Sequence, residues 1–364
     1  KKRHEVSRER SVCVCVCVCL SFVSVDPMSF VSSVFARGAE VLSQAGCTIQ
    51  TAVLLALALG VVLLTLKALC LFGWCFRSFV RPPTNLKKYT KDGKWTVITG
   101  ASDGIGKGFA QELAKKGANL LLISRTASKL ESLKEELSGS DAKIETLAVD
   151  VSKPVNEVFP AIEQALAGKQ VSMLINNVGL NTTEIPEKFM DQDFEKAEQM
   201  VQVNITFMLR LTHHLLKLMK RNHEGVVINL ASFAGDFPTP LMSVYSATKA
   251  FIDTWTRAMS AENKEDGVVF LSAKPYLTES NMSRTRASLM VPTARRMAHA
   301  ILARVGTTTS VSPYWAHNIF EFVVRCMPER MRLVKFRAAM LKTAAALKRR
   351  MQRQAKEAED KKEK

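Results

Sequence analysis

The chain has 364 residues, 47% of them hydrophobic, enough for one large core with smaller additions. Its formal net charge of +17 is unevenly placed: residues 95–324 carry 24 Lys/Arg against 24 Asp/Glu, and the surplus lies in the flanks, 67–94 and 325–364. A neutral body with basic ends, no zinc-finger spacing and eight cysteines without a paired motif argue against a nucleic-acid reader, a metal site and a disulfide-built extracellular domain.

Near the start, residues 11–22 read SVCVCVCVCLSF. Alternate residues of a strand share a face, but a flat row of i, i+2 thiols does not converge as tetrahedral zinc requires. The run precedes Met28, and a repeated guanine–thymine dinucleotide encodes alternating Val and Cys. Residues 1–27 are therefore read as a non-native leader. Residues 28–94 are read as a membrane anchor and linker. From Thr51 to Phe76 the sequence is apolar with one charge, Lys67, and is expected to cross a hydrocarbon core of about 30 Å. Basic residues crowd the side after this stretch, whereas 28–50 holds only Arg37, so the following domain is expected to face the cytosol.

The compact domain is expected over 95–312. WTVIT (95–99) is a short buried strand running into GASDGIGKGFAQELAKKG, which places Gly100, Gly104 and Gly106 at a strand-to-helix turn. Bare glycines there let a backbone approach a pyrophosphate at the helix N-terminus. Strands follow at 119–123, at 143–149 leading to Asp150, and at 171–175 leading to Asn176; two more lie at 225–231 and 267–273, with helices between. This alternation predicts an α/β fold on a parallel sheet. The second strand ends in Ser124-Arg125, where an acidic residue would repel phosphate. Arg125 is either merely solvated or pairs with a 2′-phosphate, with Lys107 assisting, which favours NADPH over NADH.

Four polar residues carry candidate chemistry. Asn204 follows a helical run, Ser232 ends the fifth strand, and Tyr245 and Lys249 stand four apart on one helix face. A hydride delivered to a carbonyl leaves charge on oxygen, which Tyr245 protonates and Ser232 hydrogen-bonds. Lys249 is expected to lower the phenol pKa and to hold the nicotinamide ribose. Asn204 is expected to position a water that refills the proton.

Taken together, TGASDGIG, NNVG, Asn204, Ser232 and YSATK resemble the short-chain dehydrogenase/reductase family over about 95–310. The resemblance implies a doubly wound Rossmann-type sheet of about seven strands, with Asn204, Ser232, Tyr245 and Lys249 as the catalytic group. It implies cofactor contacts from Gly100, Ser102, Asp103, Gly104, Ile105, Gly106, Arg125, Asp150, Asn177, Tyr245, Lys249 and Ser280. Within the family, the anchor, ASDGIGK, NNVG and PYLTESNM resemble the membrane-bound very-long-chain 3-oxoacyl-CoA reductases, similar to the 17-beta-hydroxysteroid dehydrogenase type 12 group. Lys274 and Glu279 depart from that pattern. The implied reaction is NADPH-dependent reduction of a 3-oxoacyl-CoA in fatty-acid elongation at the endoplasmic reticulum membrane. An elongase, a dehydratase and an enoyl reductase would be its partners, and a homodimer stays open. Steroid or retinoid oxidoreduction with the same group is the alternative. The extension 313–364 is read as a membrane-proximal segment or packed subdomain with a basic helical tail, ending KKEK like a dilysine retrieval signal.

Overall fold

The computed structural model describes residues 32–33, 35–40, 49–75, 85–181, 185–280 and 285–360. The Val-Cys run, Met28 and the terminal KKEK lie outside them. The chain divides into two compact units, 1–80 and 81–364.

In the first unit, helix α1 (Ile49–Cys75) is rich in Leu, Val and Ala. A membrane-crossing helix was the expectation over 51–76, yet no helix among the described residues is long and apolar enough to cross a membrane. Lys67 interrupts the apolar run of α1, leaving 16 uncharged residues from Thr51 to Leu66 before it and eight after it in the helix. The transmembrane anchor is corrected accordingly, and with it the endoplasmic-reticulum membrane location and cytosolic orientation that depended on it.

In the second unit, helix α2 (Lys87–Thr90) leads into strand β1 (Trp95–Thr99), helix α3 (Gly104–Ala114), β2 (Asn119–Ser124), α4 (Ala127–Glu136) and β3 (Ile144–Ala148). Then come α5 (Val155–Leu166), β4 (Val171–Asn176), α6 (Phe194–Val201) and α7 (Phe207–Arg221), the last two joined by a π-turn at Gln202–Thr206. The chain continues through β5 (Gly225–Leu230), the single turn α8 (Phe233–Asp236), α9 (Ser243–Glu262), β6 (Val268–Ala273) and α10 (Ala294–Leu302). It closes with β7 (Ser310–Val311), α11 (Trp315–Arg325) and α12 (Glu329–Asp360).

The seven strands form one sheet in the order β3-β2-β1-β4-β5-β6-β7, every neighbouring pair parallel. That is the doubly wound arrangement anticipated, with its order reversing between β1 and β4. Strands β1, β4 and β5 are buried along their whole length, as parallel strands covered on both faces must be. Their alternate side chains feed two cores. On one face Ile98, Leu122 and Ile175 pack with Phe109, Leu113 and Met297. On the other, Val97, Leu121 and Leu174 pack with Phe159, Phe207 and Leu211. Each fully buried Phe contributes about 3–5 kcal/mol against Ala, so the sheet is a stiff floor for groups at its strand ends.

The extension after β7 is packed along one face. Helix α11 buries Ala316, His317, Asn318, Glu321 and Val324. Phe233, Phe237, Phe320, Met327 and Phe336 gather beside Val324.

Candidate active site

At the carboxyl end of β1 the backbone turns through Gly100 (φ 63°) and Gly104 (φ 52°), both in the left-handed region that favours glycine. Gly106 is required by space instead. A Cβ there would lie 2.1 Å from the Gly100 carbonyl oxygen. Asn177 braces the same turn, its Nδ2 donating to the carbonyls of Thr99 (2.9 Å) and Gly100 (3.0 Å). The Thr99 hydroxyl accepts from the backbone N–H groups of Asn177 (3.0 Å) and Val178 (3.1 Å). Asn177, expected as a cofactor contact, thus spends its amide on shaping the loop. Ser102 joins Ser124 at the end of β2 by a 2.6 Å hydrogen bond, and Ile105 packs onto the core.

Asp103 precedes α3 without its side chain capping the helix. The first-turn N–H groups therefore lie under a bare glycine cradle, and this fits the diphosphate of a dinucleotide. Ser280 closes the cradle from above: a Cβ on Gly104 would come 3.1 Å from the Ser280 Cβ. Beyond β2, Arg125 is exposed. Asp150 nearby accepts from the Ser152 N–H (3.1 Å) and hydroxyl (2.7 Å). Burial would raise the Asp150 carboxyl, but those bonds and the charges of Arg125 and Lys153 hold it below its usual value. Lys107, expected to assist Arg125, is instead paired with Glu136 at 2.7 Å.

The catalytic candidates meet at the carboxyl ends of β4 and β5. Asn204 lies in the π-turn, 1% exposed. Its Oδ1 accepts from the Leu180 N–H (2.7 Å), while Nδ2 donates to the Leu180 carbonyl (3.0 Å) and the Thr248 hydroxyl (3.1 Å). Both amide protons and one lone pair are committed to protein, so one lone pair of Oδ1 remains for the expected water. The bonds clamp the segment after β4 to α9, the helix that bears Tyr245 and Lys249.

Ser232 caps α8, its hydroxyl oxygen accepting from the Ala234 N–H at 3.2 Å, and it also hydrogen-bonds Tyr245. Lys249 is 4% exposed and donates from Nζ to the Leu230 carbonyl at 2.7 Å. Burial lowers its pKa to about 8. Gly179 makes room for it, since a Cβ there would stand 3.2 Å from Nζ and 3.6 Å from Asn204 Oδ1.

One expectation is revised by this geometry. Burial raises the Tyr245 pKa, opposed only by a hydrogen bond with Ser232, so the phenol is not lowered as anticipated. Lys249 Nζ stands 5.8 Å from the ring centroid and directs a proton to Leu230.

Two polar networks went unforeseen. Asn176 Nδ2 donates to Thr212 (2.9 Å) and to Asn229 Oδ1 (2.8 Å), and Asn229 Nδ2 donates to Thr256 (2.8 Å), a buried file beneath the strand ends. Asp236, the last residue of the turn capped by Ser232, receives Lys274 at 2.8 Å and Arg325 at 2.9 Å. Glu321 on α11 takes the same Arg325 at 2.7 Å and lies 3.7 Å from Lys274. Burial pushes Asp236 up to about 6 despite Lys274, with the Glu321 carboxylate adding to the rise. The signal was Lys274 itself, a charge placed directly after an apolar strand.

Among known proteins, the short chain dehydrogenase family profile matches residues 94–289. The very-long-chain 3-oxoacyl-CoA reductase of Neurospora crassa is 39% identical over 256 residues, covering 68% of this chain and 77% of that protein. The reductase of the same name from Meyerozyma guilliermondii is 38% identical over 294 residues, covering 76% and 86%. A short-chain dehydrogenase from Sphingobium yanoikuyae, solved in complex with NADPH, superposes with a TM-score of 0.53 at 26% identity, covering 58% of this chain and 84% of its own. A 7beta-hydroxysteroid dehydrogenase shares the fold, with a TM-score of 0.63 at 23% identity over 70% of this chain and 99% of its own. Glycine turn, strand order and family match agree: the chain belongs to the short-chain dehydrogenase family, as an NADPH-dependent oxidoreductase related to the very-long-chain 3-oxoacyl-CoA reductases.

Proposed function

We propose that this chain reduces a very-long-chain 3-oxoacyl-CoA to the 3-hydroxyacyl-CoA with NADPH, using residues 95–312 as the reductase domain. The observation that carries the reading is the gathering of Ser232, Tyr245 and Lys249 at the end of β5, beside a glycine cradle that only bare backbone can form. Relatives bearing that reductase name support the choice of substrate.

NADPH, when bound, supplies the hydride for the C3 carbonyl carbon. Gly100, Gly104 and Gly106, with Ser102, Asp103 and Ile105 in the same turn, hold its diphosphate, while Arg125 and Asp150 take the adenosine end and Ser280 the nicotinamide side. With substrate bound, Ser232 turns its hydroxyl proton to the carbonyl oxygen, polarising it. Tyr245 gives its phenolic proton to the same oxygen as negative charge develops there, and its raised pKa keeps that proton in place at neutral pH. Lys249 holds the nicotinamide ribose and favours the phenolate once the proton has left. Asn204 keeps α9 in register with the Leu180 segment and offers its last lone pair to the water that returns the proton.

The 3-oxoacyl thioester would come from a condensing elongase, and the 3-hydroxy product would pass to a dehydratase and then an enoyl reductase. The test follows NADPH oxidation by the purified chain with 3-oxoacyl-CoAs of graded length and with ketosteroids. Turnover that strengthens with acyl length supports the assignment, and a strong ketosteroid preference overturns it.

A further inference from the structure

Beside the glycine cradle the protein opens into a cavity of about 630 Å³. Its wall includes Lys107 and Gln111 on α3, Arg286 from the segment after β6, Arg295 at the start of α10, and Arg350 on α12. Four cationic side chains face it against two carboxylates, Asp103 and Glu279. Two of the cations are already engaged: Lys107 with Glu136 at 2.7 Å and Arg295 with Glu112 at 2.6 Å. Arg286 and Arg350 are exposed, and neither is held by an ion pair within the described residues. Four separate parts of the chain therefore bring positive charge to one concavity, and two guanidinium groups there lack an anion among the described residues. Guanidinium forks match phosphate oxygens in pairs.

We infer that this cavity receives the phosphorylated nucleotide head of the CoA thioester, an inference that rests on the acyl-CoA reading above. Its size suits a nucleotide, within the few hundred to about 1,000 Å³ usual for small-ligand sites. The chemistry sought, an adenosine diphosphate bearing a further phosphate monoester, is shared by CoA and NADPH, so the location has to choose between them. NADPH is placed across the carboxyl ends of the strands, with its adenosine end towards β2 and β3. Asp103, Gly104 and Ser280 of the cofactor cradle form one wall of the cavity, but neither Arg125 nor Asp150 lines it. The cavity runs the other way, along α3 past Lys107 to Gln111, about 10 Å from Gly104 at 1.5 Å per residue. Arg286, Arg295 and Arg350, which the glycine cradle does not use, also line it. The nucleotide head anchored there would leave the flexible pantetheine arm to carry the 3-oxo carbonyl to Tyr245. Arg350 also gives the long C-terminal helix a task in substrate selection that the reductase core does not supply.

The experiment compares one 3-oxoacyl group carried on CoA and on pantetheine, which lacks the nucleotide. For the unaltered chain the KM for the CoA thioester is expected about a hundredfold below that for the pantetheine thioester. In the double variant Arg286→Ala, Arg350→Ala that ratio is expected to collapse to within a fewfold of one, with the KM for NADPH unchanged, whereas Arg350→Lys keeps part of it. Equal KM values for the two thioesters in the unaltered chain would overturn the cavity assignment while leaving the reductase reading intact. A rise in the KM for NADPH that matches the rise for acyl-CoA would give the cavity to the cofactor and overturn it as well. Turnover of ketosteroids with neither thioester accepted would sink the acyl-CoA reading, and this inference with it.

Discussion

The two halves of the sheet build their parts of the site by opposite means. Around β1–β3 the nucleotide cradle is made by leaving side chains out: Gly100 and Gly104 take left-handed backbone, and Gly106 lets α3 sit against the end of β1. Around β4–β6 the catalytic floor is made by burying polar side chains that satisfy one another, Asn176 with Asn229, Asn204 with Thr248, Lys249 with the Leu230 carbonyl. The first device is spare and intolerant of added atoms. The second tolerates shape but not loss of a partner, because an orphaned buried polar group costs about 1–3 kcal/mol.

The largest effect should come from the catalytic half without touching the other. Tyr245→Phe removes the proton donor and leaves the cradle intact, so kcat is expected to fall at least about a thousandfold while NADPH titrated by fluorescence binds as before. Loss of cofactor binding in parallel would show that the halves are not separable. The reciprocal change is Gly106→Ala, whose methyl would enter the space of the Gly100 carbonyl. Overpacking of this kind costs about 1–3 kcal/mol, so NADPH affinity should fall roughly ten- to a hundredfold, with kcat at saturating cofactor much less affected.

Lys249 sharpens the comparison through pH. Its pKa is about 8 in the fold against 10.5 for an ordinary lysine. The unfolded chain therefore binds more protons between those values, and stability conferred by this site rises with pH across that window. Below about pH 8 the buried ammonium burdens the folded state. Lys249→Met should consequently be more stable than the parent at pH 7, by an amount on the order of 2 kcal/mol, and the gap should close towards pH 10, as read by urea melts. The same variant should be inactive, which separates a functional burden from a structural support. The smallest effect belongs to the cradle's outer edge. Arg125→Ala should raise the KM for NADPH about tenfold, worth roughly 1.4 kcal/mol, and leave that for NADH unmoved. Equal changes for both cofactors would mean Arg125 is only solvated.

What the sequence disclosed follows the same division. A device made of absent side chains shows in one local stretch, so 95–106 announced strand, turn and helix together. Tyr245 and Lys249 were legible for a similar reason, since four residues on a helix share a face. The Asp236–Lys274–Glu321–Arg325 cluster was not, because its members come from α8, the end of β6 and α11 and meet only through the fold. The Tyr245 pKa was misjudged because spacing reports the nearness of Lys249 but not the burial of the phenol. The membrane-crossing expectation ran through Lys67, the one charge inside the apolar run, and no helix among the described residues meets it.

The ionic cluster also binds the late part of the chain to the early cooperativity of the fold. If α11 lifted away, the Lys274–Asp236 pair would lose both Glu321 and Arg325. Local opening of 315–325 is thereby tied to opening at the ends of β5 and β6. Amide protons in α11 should accordingly exchange with solvent on the timescale of the sheet rather than of a fraying appendage. The segment after the last strand behaves, on this reasoning, as part of one folding unit with the turn that carries Ser232.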